Sequence, residues 1–330
     1  MLKQIKNYSS LTPIILATVF FSLVVFILST SEYADAEKTK QQQPSPLSIF
    51  STRTISSYNS TQITQQVDYT ITKFNGSCPS EVAIYIHGFN KDKDDTGEEF
   101  NRIQTSLNNN NSTIPLVGFS WDSKVSWEQA KVNANNSGEE LAKFIFEFKK
   151  ENKCPNTVFR IIAHSLGASV VDSTLNNLDN YLNPKISNNS KIIKTVHLLG
   201  AAINNKLIAN ETPFGKAIEH LVEKFYNLYS SQDDGLEYNK KVENHEPLGL
   251  FGALNVIPPF NYKDTNVTTT IPHFSDADGD GNLEECFEDI YKPVLVNGDN
   301  HCGYIGFRQP FSDSLTDDGA INVVVEEWKS

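Results

Sequence analysis

The chain has 330 residues, of which 39% are hydrophobic and 21% charged, and its formal net charge at pH 7 is −12. An acidic chain with no run of basic residues argues against a nucleic acid partner, because binding to phosphates needs clustered lysine or arginine. The length is sufficient for one large domain with a substantial core.

The N-terminal 36 residues have the features of an export signal. Lys3 and Lys6 precede an apolar run from Pro13 to Leu28, and Ala34-Asp35-Ala36 follows it. This order predicts a secretory signal peptide, residues 1–36, that is cleaved after Ala36. A retained membrane anchor is the alternative, although the run is short for the roughly 18 to 20 residues that span a bilayer. Both interpretations predict a secreted or extracellular membrane-anchored protein.

Residues 37–48 are rich in Lys, Gln and Pro and indicate a linker, so that residues 49–330 form the predicted folded domain. The chain also has many sequons for N-glycosylation. These begin at Asn59, Asn75, Asn110, Asn111, Asn135, Asn188, Asn210 and Asn266. They suit an exported glycoprotein, but a composition rich in asparagine also creates sequons by chance.

Short β-branched segments alternate with helical segments along the folded part of the chain. Two early segments, Ser48–Tyr58 and Gln62–Phe74, predict an antiparallel edge. Later predicted strands are Glu81–Ile86, Ile114–Trp121, Val158–Ile162, Ile193–Ala201 and Lys224–Tyr229, and predicted helices are 98–108, 127–150 and 165–182. The alternation is typical of an α/β fold with a mostly parallel sheet and helices on both faces.

The segment from Gly235 to about Asn297 has no clear periodicity. Clusters of Pro, Gly and Asp interrupt it. We therefore expect an irregular insertion before the C-terminal histidine, His301.

The pentapeptide Ala163-His164-Ser165-Leu166-Gly167 lies between a predicted strand and a predicted helix. It matches the nucleophile-elbow pattern G-x-S-x-G, with alanine in the first position. Small residues are needed there because the serine occupies a strained turn that packs tightly against neighbouring backbone. The pentapeptide alone occurs by chance, but the strand before it and the helix after it make Ser165 the predicted nucleophile.

The tripeptide His87-Gly88-Phe89 ends an upstream strand. A loop in this position supplies one backbone N–H of an oxyanion hole, and the residue after the nucleophile supplies the other. The predicted donors are therefore Phe89 and Leu166. A simple strand-ending turn is the alternative.

The runs IYIHGFN, GFSWDS, NANNSGEELAKFI and RIIAHSLGA resemble a family of α/β-hydrolases with HGF, FSWP and AHSMG motifs, most of which lack an assigned substrate. They are also similar, more broadly, to lipases and esterases. The resemblance covers Val82 to about Leu236. It implies an α/β-hydrolase sheet and an ester-type hydrolase. Trp121-Asp122 replaces Trp-Pro and Leu166 replaces methionine, and neither difference affects a triad role.

The acid of a catalytic triad follows a late strand, after the nucleophile and before the histidine. The resemblance favours Asp233, because in similar enzymes two apolar or small residues follow the acid after one intervening position; Asp234 remains the alternative. His301 is the predicted base, since the order Ser, Asp, His places the base in a loop before the C-terminal helix. His273 is the second candidate.

The four cysteines are expected to form disulfides if the chain reaches an oxidising compartment. Cys78 and Cys154 each precede a predicted strand, and parallel neighbouring strands would start side by side. We therefore predict the pairs Cys78–Cys154 and Cys286–Cys302. The second bridge would hold the segment that carries His301.

The acidic run from Asp276 to Asn282 matches the first half of a calcium loop. It places oxygen ligands at Asp276, Asp278 and Asp280, glycine at the sixth position and Asn282 after it. Phe287 occupies the twelfth position instead of glutamate, so a nearby glutamate would have to complete the shell. An acidic loop without a metal is the alternative. The expected calcium is structural, and no cofactor is expected for catalysis.

These features predict an extracellular serine hydrolase that acts on a small-molecule or lipid ester through Ser165, His301 and Asp233, with an N-terminal membrane tether as an option. The alternative is a catalytically silent binding or adhesion module with the same fold. The presence of nucleophile, acid, base and oxyanion loop in the expected order favours the enzyme.

Overall fold

The protein is represented by a computed structural model that describes residues 47–54, 57–182, 191–271, 301–308, 315–317 and 319–329. The predicted signal peptide or anchor and nearly all of the predicted linker lie outside these ranges. Within the described ranges, no helix combines the length and apolar character that crossing a bilayer requires.

A seven-stranded sheet, in which every neighbouring pair is parallel, forms the centre of the fold. The strand order is β1-β3-β2-β4-β5-β6-β7. The strands are β1 Leu47–Ser51, β2 Glu81–Ile86, β3 Leu116–Ser120, β4 Val158–His164, β5 Ile193–Leu199, β6 Val222–Tyr229 and β7 Tyr262–Asn266. Because all seven strands run in one direction, their carboxyl ends share one edge, where sites in open α/β sheets are found.

Helices connect these strands, and a short two-stranded sheet lies near the C-terminus. The helices are α1 Ser60–Lys73, α2 Lys93–Asn109, α3 Trp127–Phe148, α4 Gly167–Leu182, α5 Pro213–Leu221, α6 Asp234–Glu243, α7 Leu248–Phe251 and α8 Ile321–Lys329. Strands β8 Phe307–Arg308 and β9 Leu315–Asp317 pair antiparallel. Two 3₁₀ turns span Asn205–Ile208 and His301–Ile305.

Alternate side chains of each central strand enter two separate cores. In β2, Val82, Ile84 and Ile86 pack with residues of α1, α3, α4 and α5. Ala83 and Tyr85 point to the opposite face and pack with residues of α2 and α8. A sheet that is covered on both faces needs apolar side chains in both directions, which explains the continuous apolar runs of its strands. The predicted α/β architecture is therefore confirmed.

The predicted antiparallel edge is wrong. Residues 62–74 lie almost entirely in helix α1, where Asn59 and Gln62 form a capping box and Ile63, Val67 and Thr70 are buried at helical spacing. Strand β1 pairs parallel with β3. The cap and the period of three to four residues outweigh the β-branched residues of this segment, whose preference for strands is weak.

The disulfide between Cys78 and Cys154 is present, with a Cα–Cα distance of 5.4 Å. It joins the chain just before β2 to the chain just before β4, and these strands are neighbours, with Glu81 opposite Val158. Cys302 also takes part in a disulfide. Its predicted partner, Cys286, lies outside the described residues.

Removal of the Cys78–Cys154 bridge with the double substitution Cys78→Ser and Cys154→Ser should lower the free energy of unfolding by about 2–4 kcal/mol, because the bridge closes a long loop in the unfolded chain. The two cysteines are separated by 76 positions in the sequence. Urea unfolding followed by circular dichroism measures the change. An unaltered midpoint would show that the bridge contributes nothing to stability.

Candidate active site

The backbone at Ser165 makes a sharp bend between β4 and α4. Its φ angle of 53° lies in the left-handed region, which few residues other than glycine adopt. The Ser165 N–H donates a hydrogen bond to the carbonyl of Leu199 on the neighbouring strand β5, at 3.0 Å. The bend presents the hydroxyl at the carboxyl edge of the sheet, as the nucleophile-elbow pattern predicts.

Two glycines allow the chain to pass close to this bend. A Cβ atom on Gly167 would lie 2.8 Å from the carbonyl oxygen of His87, and one on Gly88 would lie 2.9 Å from the Cβ of Ser165. Side chains at either position would therefore push the end of β2 away from Ser165. Ala163, at the first position of the pattern, is fully buried, so its methyl group is accommodated.

The structure brings three of the predicted site residues into one line of hydrogen bonds. The Nε2 atom of His301 lies 2.8 Å from the Oγ of Ser165. The Nδ1 atom of His301 lies 2.8 Å and 3.0 Å from the two carboxylate oxygens of Asp233. All three residues are buried. The acid next to the imidazole is Asp233, whereas Asp234 is the first residue of α6.

Asp233 is also the N-cap residue of helix α6. Its Oδ1 accepts a hydrogen bond from the backbone N–H of Leu236 at 2.8 Å. A carboxylate in this position interacts favourably with the helix dipole. The Asp233 carboxylate accepts a hydrogen bond from the Nδ1–H of His301, which leaves Nε2 free to accept a hydrogen bond from Ser165.

His164, the residue before the serine, holds the loop of His301. Its Nε2 donates to the backbone carbonyl of His301 at 2.9 Å, and the two ring centroids are 4.9 Å apart. Burial lowers the pKa of His164 to about 4, so the ring is neutral at pH 7. Sequence reasoning assigned His164 to the motif but missed this contact, which no local pattern indicates.

His87 and Trp121 fix the loop that carries Phe89. The backbone N–H of Trp121 donates to His87 Nε2 at 3.1 Å, and the Trp121 indole donates to the His87 carbonyl at 2.9 Å. The rings stack with centroids 5.4 Å apart. Burial lowers the pKa of His87 to about 3, which keeps the ring neutral as an acceptor. The HGF and FSW motifs therefore form one structural unit.

The two predicted oxyanion donors flank Ser165. Leu166 follows it in the chain, and Phe89 lines the same cavity. Among the described residues, neither backbone N–H is engaged in a hydrogen bond with another protein group. Both groups are thus available for a ligand oxygen.

A cavity of about 30 Å³ adjoins Ser165 and His301. Helix α6 forms much of the cavity wall, and most of the side chains that line the cavity are apolar. Its other lining residues are Phe89, Trp127, Ala202, Gly235, Leu236, Tyr238, Asn239 and Val242. Roughly 10–15 Å³ is needed to hold one water molecule, so the enclosed part of the cavity has room for a small group beside Ser165.

The predicted calcium ligands Asp276, Asp278, Asp280 and Asn282 lie outside the described residues, as does His273. In the part of the chain that the structure describes, no group of three or more His, Cys, Asp or Glu side chains is arranged to hold a metal ion.

A parallel sheet covered by helices on both faces, with a serine on a tight bend at its carboxyl edge, defines an α/β hydrolase. Residues 63–275 match the family described as alpha/beta hydrolase of unknown function (DUF900), and the chain belongs to that family.

Several solved structures are similar to parts of this chain. Phospholipase PlaB from Legionella pneumophila matches at 12% identity and a TM-score of 0.31, over 48% of this chain and 41% of that one. Dienelactone hydrolase from Anabaena variabilis matches at 9% identity and a TM-score of 0.32, over 57% of this chain and 74% of that one. Trichoderma reesei cutinase matches at 20% identity and a TM-score of 0.28, over 49% and 71%. No curated protein matches the sequence.

Three of the buried histidines should make the fold sensitive to acid. Burial lowers the pKa of His87 and of His197 to about 3, and that of His164 to about 4, from an ordinary value of 6.5. Between pH 6.5 and 4 the unfolded chain binds protons that the folded chain does not, so stability falls as the pH is lowered.

The substitution His197→Phe should reduce this pH dependence by up to about 1.4 kcal/mol per pH unit, because one fewer proton is taken up on unfolding. His197 stacks on Tyr226 and does not line the cavity. Urea unfolding at several values of pH measures the slope, and His220→Phe, at an exposed position, controls for the loss of a histidine. If the slope in His197→Phe equals that of the wild-type protein, the lowered pKa of His197 is contradicted.

Proposed function

We propose that this protein is a serine hydrolase that cleaves carboxylic esters, with Ser165 as nucleophile, His301 as base and Asp233 as the acid of the triad. The observation that carries the proposal is the continuous line of hydrogen bonds from Asp233 through His301 to Ser165, with distances of 2.8 Å on both sides of the imidazole. Buried groups in this arrangement are suited to acyl transfer.

In the first half of the reaction, the Ser165 hydroxyl attacks the carbonyl carbon of the ester while His301 Nε2 accepts its proton. Asp233 stabilises the imidazolium that forms. The N–H groups of Phe89 and Leu166 donate to the oxyanion, each contributing on the order of 3 kcal/mol. The intermediate then expels the alkoxide, which takes the proton from His301 and leaves as the alcohol.

The second half repeats these roles with water. His301 removes a proton from a water molecule as the water oxygen attacks the acyl-enzyme. The tetrahedral intermediate collapses, the proton returns to Ser165, and the carboxylic acid is released. The hydrogen bond from His164 to the carbonyl of His301 keeps the imidazole in place through both halves.

We also propose that the protein acts outside the cytoplasm, secreted or tethered by its N-terminal segment. The Cys78–Cys154 disulfide supports this location, because such bonds persist mainly in oxidising compartments. We propose a small-molecule or lipid ester as the substrate.

A fluorophosphonate probe should label the wild-type protein covalently, and Ser165→Ala should abolish the labelling, because the probe reacts with an activated serine. Ser169→Ala, on helix α4, is the matched control and should label normally. The readout is the mass of the intact protein, and thermal unfolding verifies the fold. A folded wild-type protein that resists the probe would instead favour the silent binding module.

Asp233→Asn should lower kcat for p-nitrophenyl butyrate by about 10⁴-fold, because an amide in place of the carboxylate no longer sets the tautomer of the imidazole. Asparagine still caps a helix, so α6 should remain in place. Asp234→Asn, one position further along, should change kcat little. Equal losses in both variants would contradict the role of Asp233.

A further inference from the structure

Helix α6 presents one face to the reactive serine. Gly235, Leu236, Tyr238, Asn239 and Val242 from this helix line the cavity that contains Ser165 and His301. Their spacing of three to four residues places them on one side of the helix. Asn239 therefore introduces an amide into a wall that is mainly apolar.

The amide of Asn239 is buried but not satisfied. The residue is 8% exposed, and its Oδ1 has no hydrogen-bond partner among the described residues. Buried side-chain oxygens in folded proteins nearly always have a partner, since an unsatisfied acceptor destabilises the fold. Rotation about χ2 exchanges the oxygen and the nitrogen of an amide, so the side of Asn239 that lines the cavity can present either atom to a ligand.

Contacts at both ends hold this face of α6 in position. At the start of the helix, Asp233 accepts a hydrogen bond from Leu236. At the end, Glu243 accepts a hydrogen bond from the Trp127 indole and pairs with Lys131 at 2.9 Å. The Trp127 ring in turn packs edge-on against Phe89, with centroids 5.0 Å apart. The backbone that carries Asn239 is therefore held in position before any ligand binds.

The charge of the cavity restricts what can reach Asn239. None of the described lining residues is Lys or Arg, which favours an uncharged group. An amide accepts a hydrogen bond through Oδ1 and donates through Nδ2, and a hydroxyl group can complement either.

We propose that Asn239 is a specificity-determining residue that hydrogen-bonds a hydroxyl group of the substrate, so that the preferred substrates are esters with a hydroxyl close to the scissile carbonyl. This inference rests on the proposed ester hydrolysis. The hydroxyl belongs either to the acyl part or to the alcohol part of the ester, and the hydrogen bond to Asn239 is the same chemistry in both cases.

Two pairs of esters distinguish these sources. Ethyl 3-hydroxybutyrate against ethyl butyrate tests the acyl part, and glycerol monobutyrate against propyl butyrate tests the alcohol part. Titration of the released acid at constant pH gives kcat/KM for each. The wild-type protein should favour the hydroxylated ester of one pair on the order of tenfold, the discrimination that one hydrogen bond provides. The pair that responds identifies the part of the substrate that Asn239 binds.

The variant Asn239→Leu, which keeps the branched shape of the side chain but removes its hydrogen-bonding atoms, should reduce that preference to about one while turnover of the unsubstituted ester continues. Lys241→Leu introduces leucine on the exposed side of α6 and should keep the wild-type preference. If Asn239→Leu does not fold, Asn239→Ala is measured in its place, with the same expected loss.

Two results would overturn the inference: a wild-type protein that favours neither hydroxylated ester, or a folded Asn239→Leu variant that retains the preference. In either case, fluorophosphonate labelling and turnover of the unsubstituted esters would leave the proposed hydrolase function intact. The absence of both labelling and turnover would reject that function itself.

Discussion

The close approach of the ends of β2 and β4 is the constraint on which the site depends. Gly167 packs against the carbonyl of His87, and Gly88 packs against Ser165, so that the loop of Phe89 and the serine bend share one small space. The Cys78–Cys154 bridge joins the segments before the same two strands at the opposite edge of the sheet. Strands β2 and β4 are therefore held together at both ends. The contacts around Ser165 stabilise its left-handed backbone conformation.

Buried neutral histidines extend this constraint to the remaining parts of the site. His87 accepts a hydrogen bond from Trp121 and positions the loop of Phe89, while His164 donates to the carbonyl of His301. Burial lowers the pKa of both rings, so neither brings a competing positive charge near the imidazole of His301 at neutral pH. A neutral imidazole that makes a hydrogen bond can therefore hold the loops around His301 without placing a second positive charge beside its ring.

The sequence indicated the features that depend on local pattern, and it failed where distant contacts decide. Apolar runs identified the central strands, and small residues around Ser165 identified the bend. The segment 62–74 was misjudged as a strand because its β-branched residues obscured a capped helix. Strand β7, with the sequence YKDTN, was missed since it is only partly buried and has no apolar run. The choice between Asp233 and Asp234 depends on the turn after β6, which local sequence does not define.

Helix α6 lies in the segment where the sequence pattern was weakest, yet it joins two parts of the site. Asp233 contacts the imidazole of His301 and also caps the helix, because its Oδ1 accepts the N–H of Leu236. One carboxylate thus determines both the orientation of the proposed base and the position of the wall that carries Asn239. A displacement of α6 would move the carboxylate and the amide together, so the proposed reactivity and the proposed substrate preference would be linked through a single residue. The wall is also anchored at its far end, through Glu243 and Trp127.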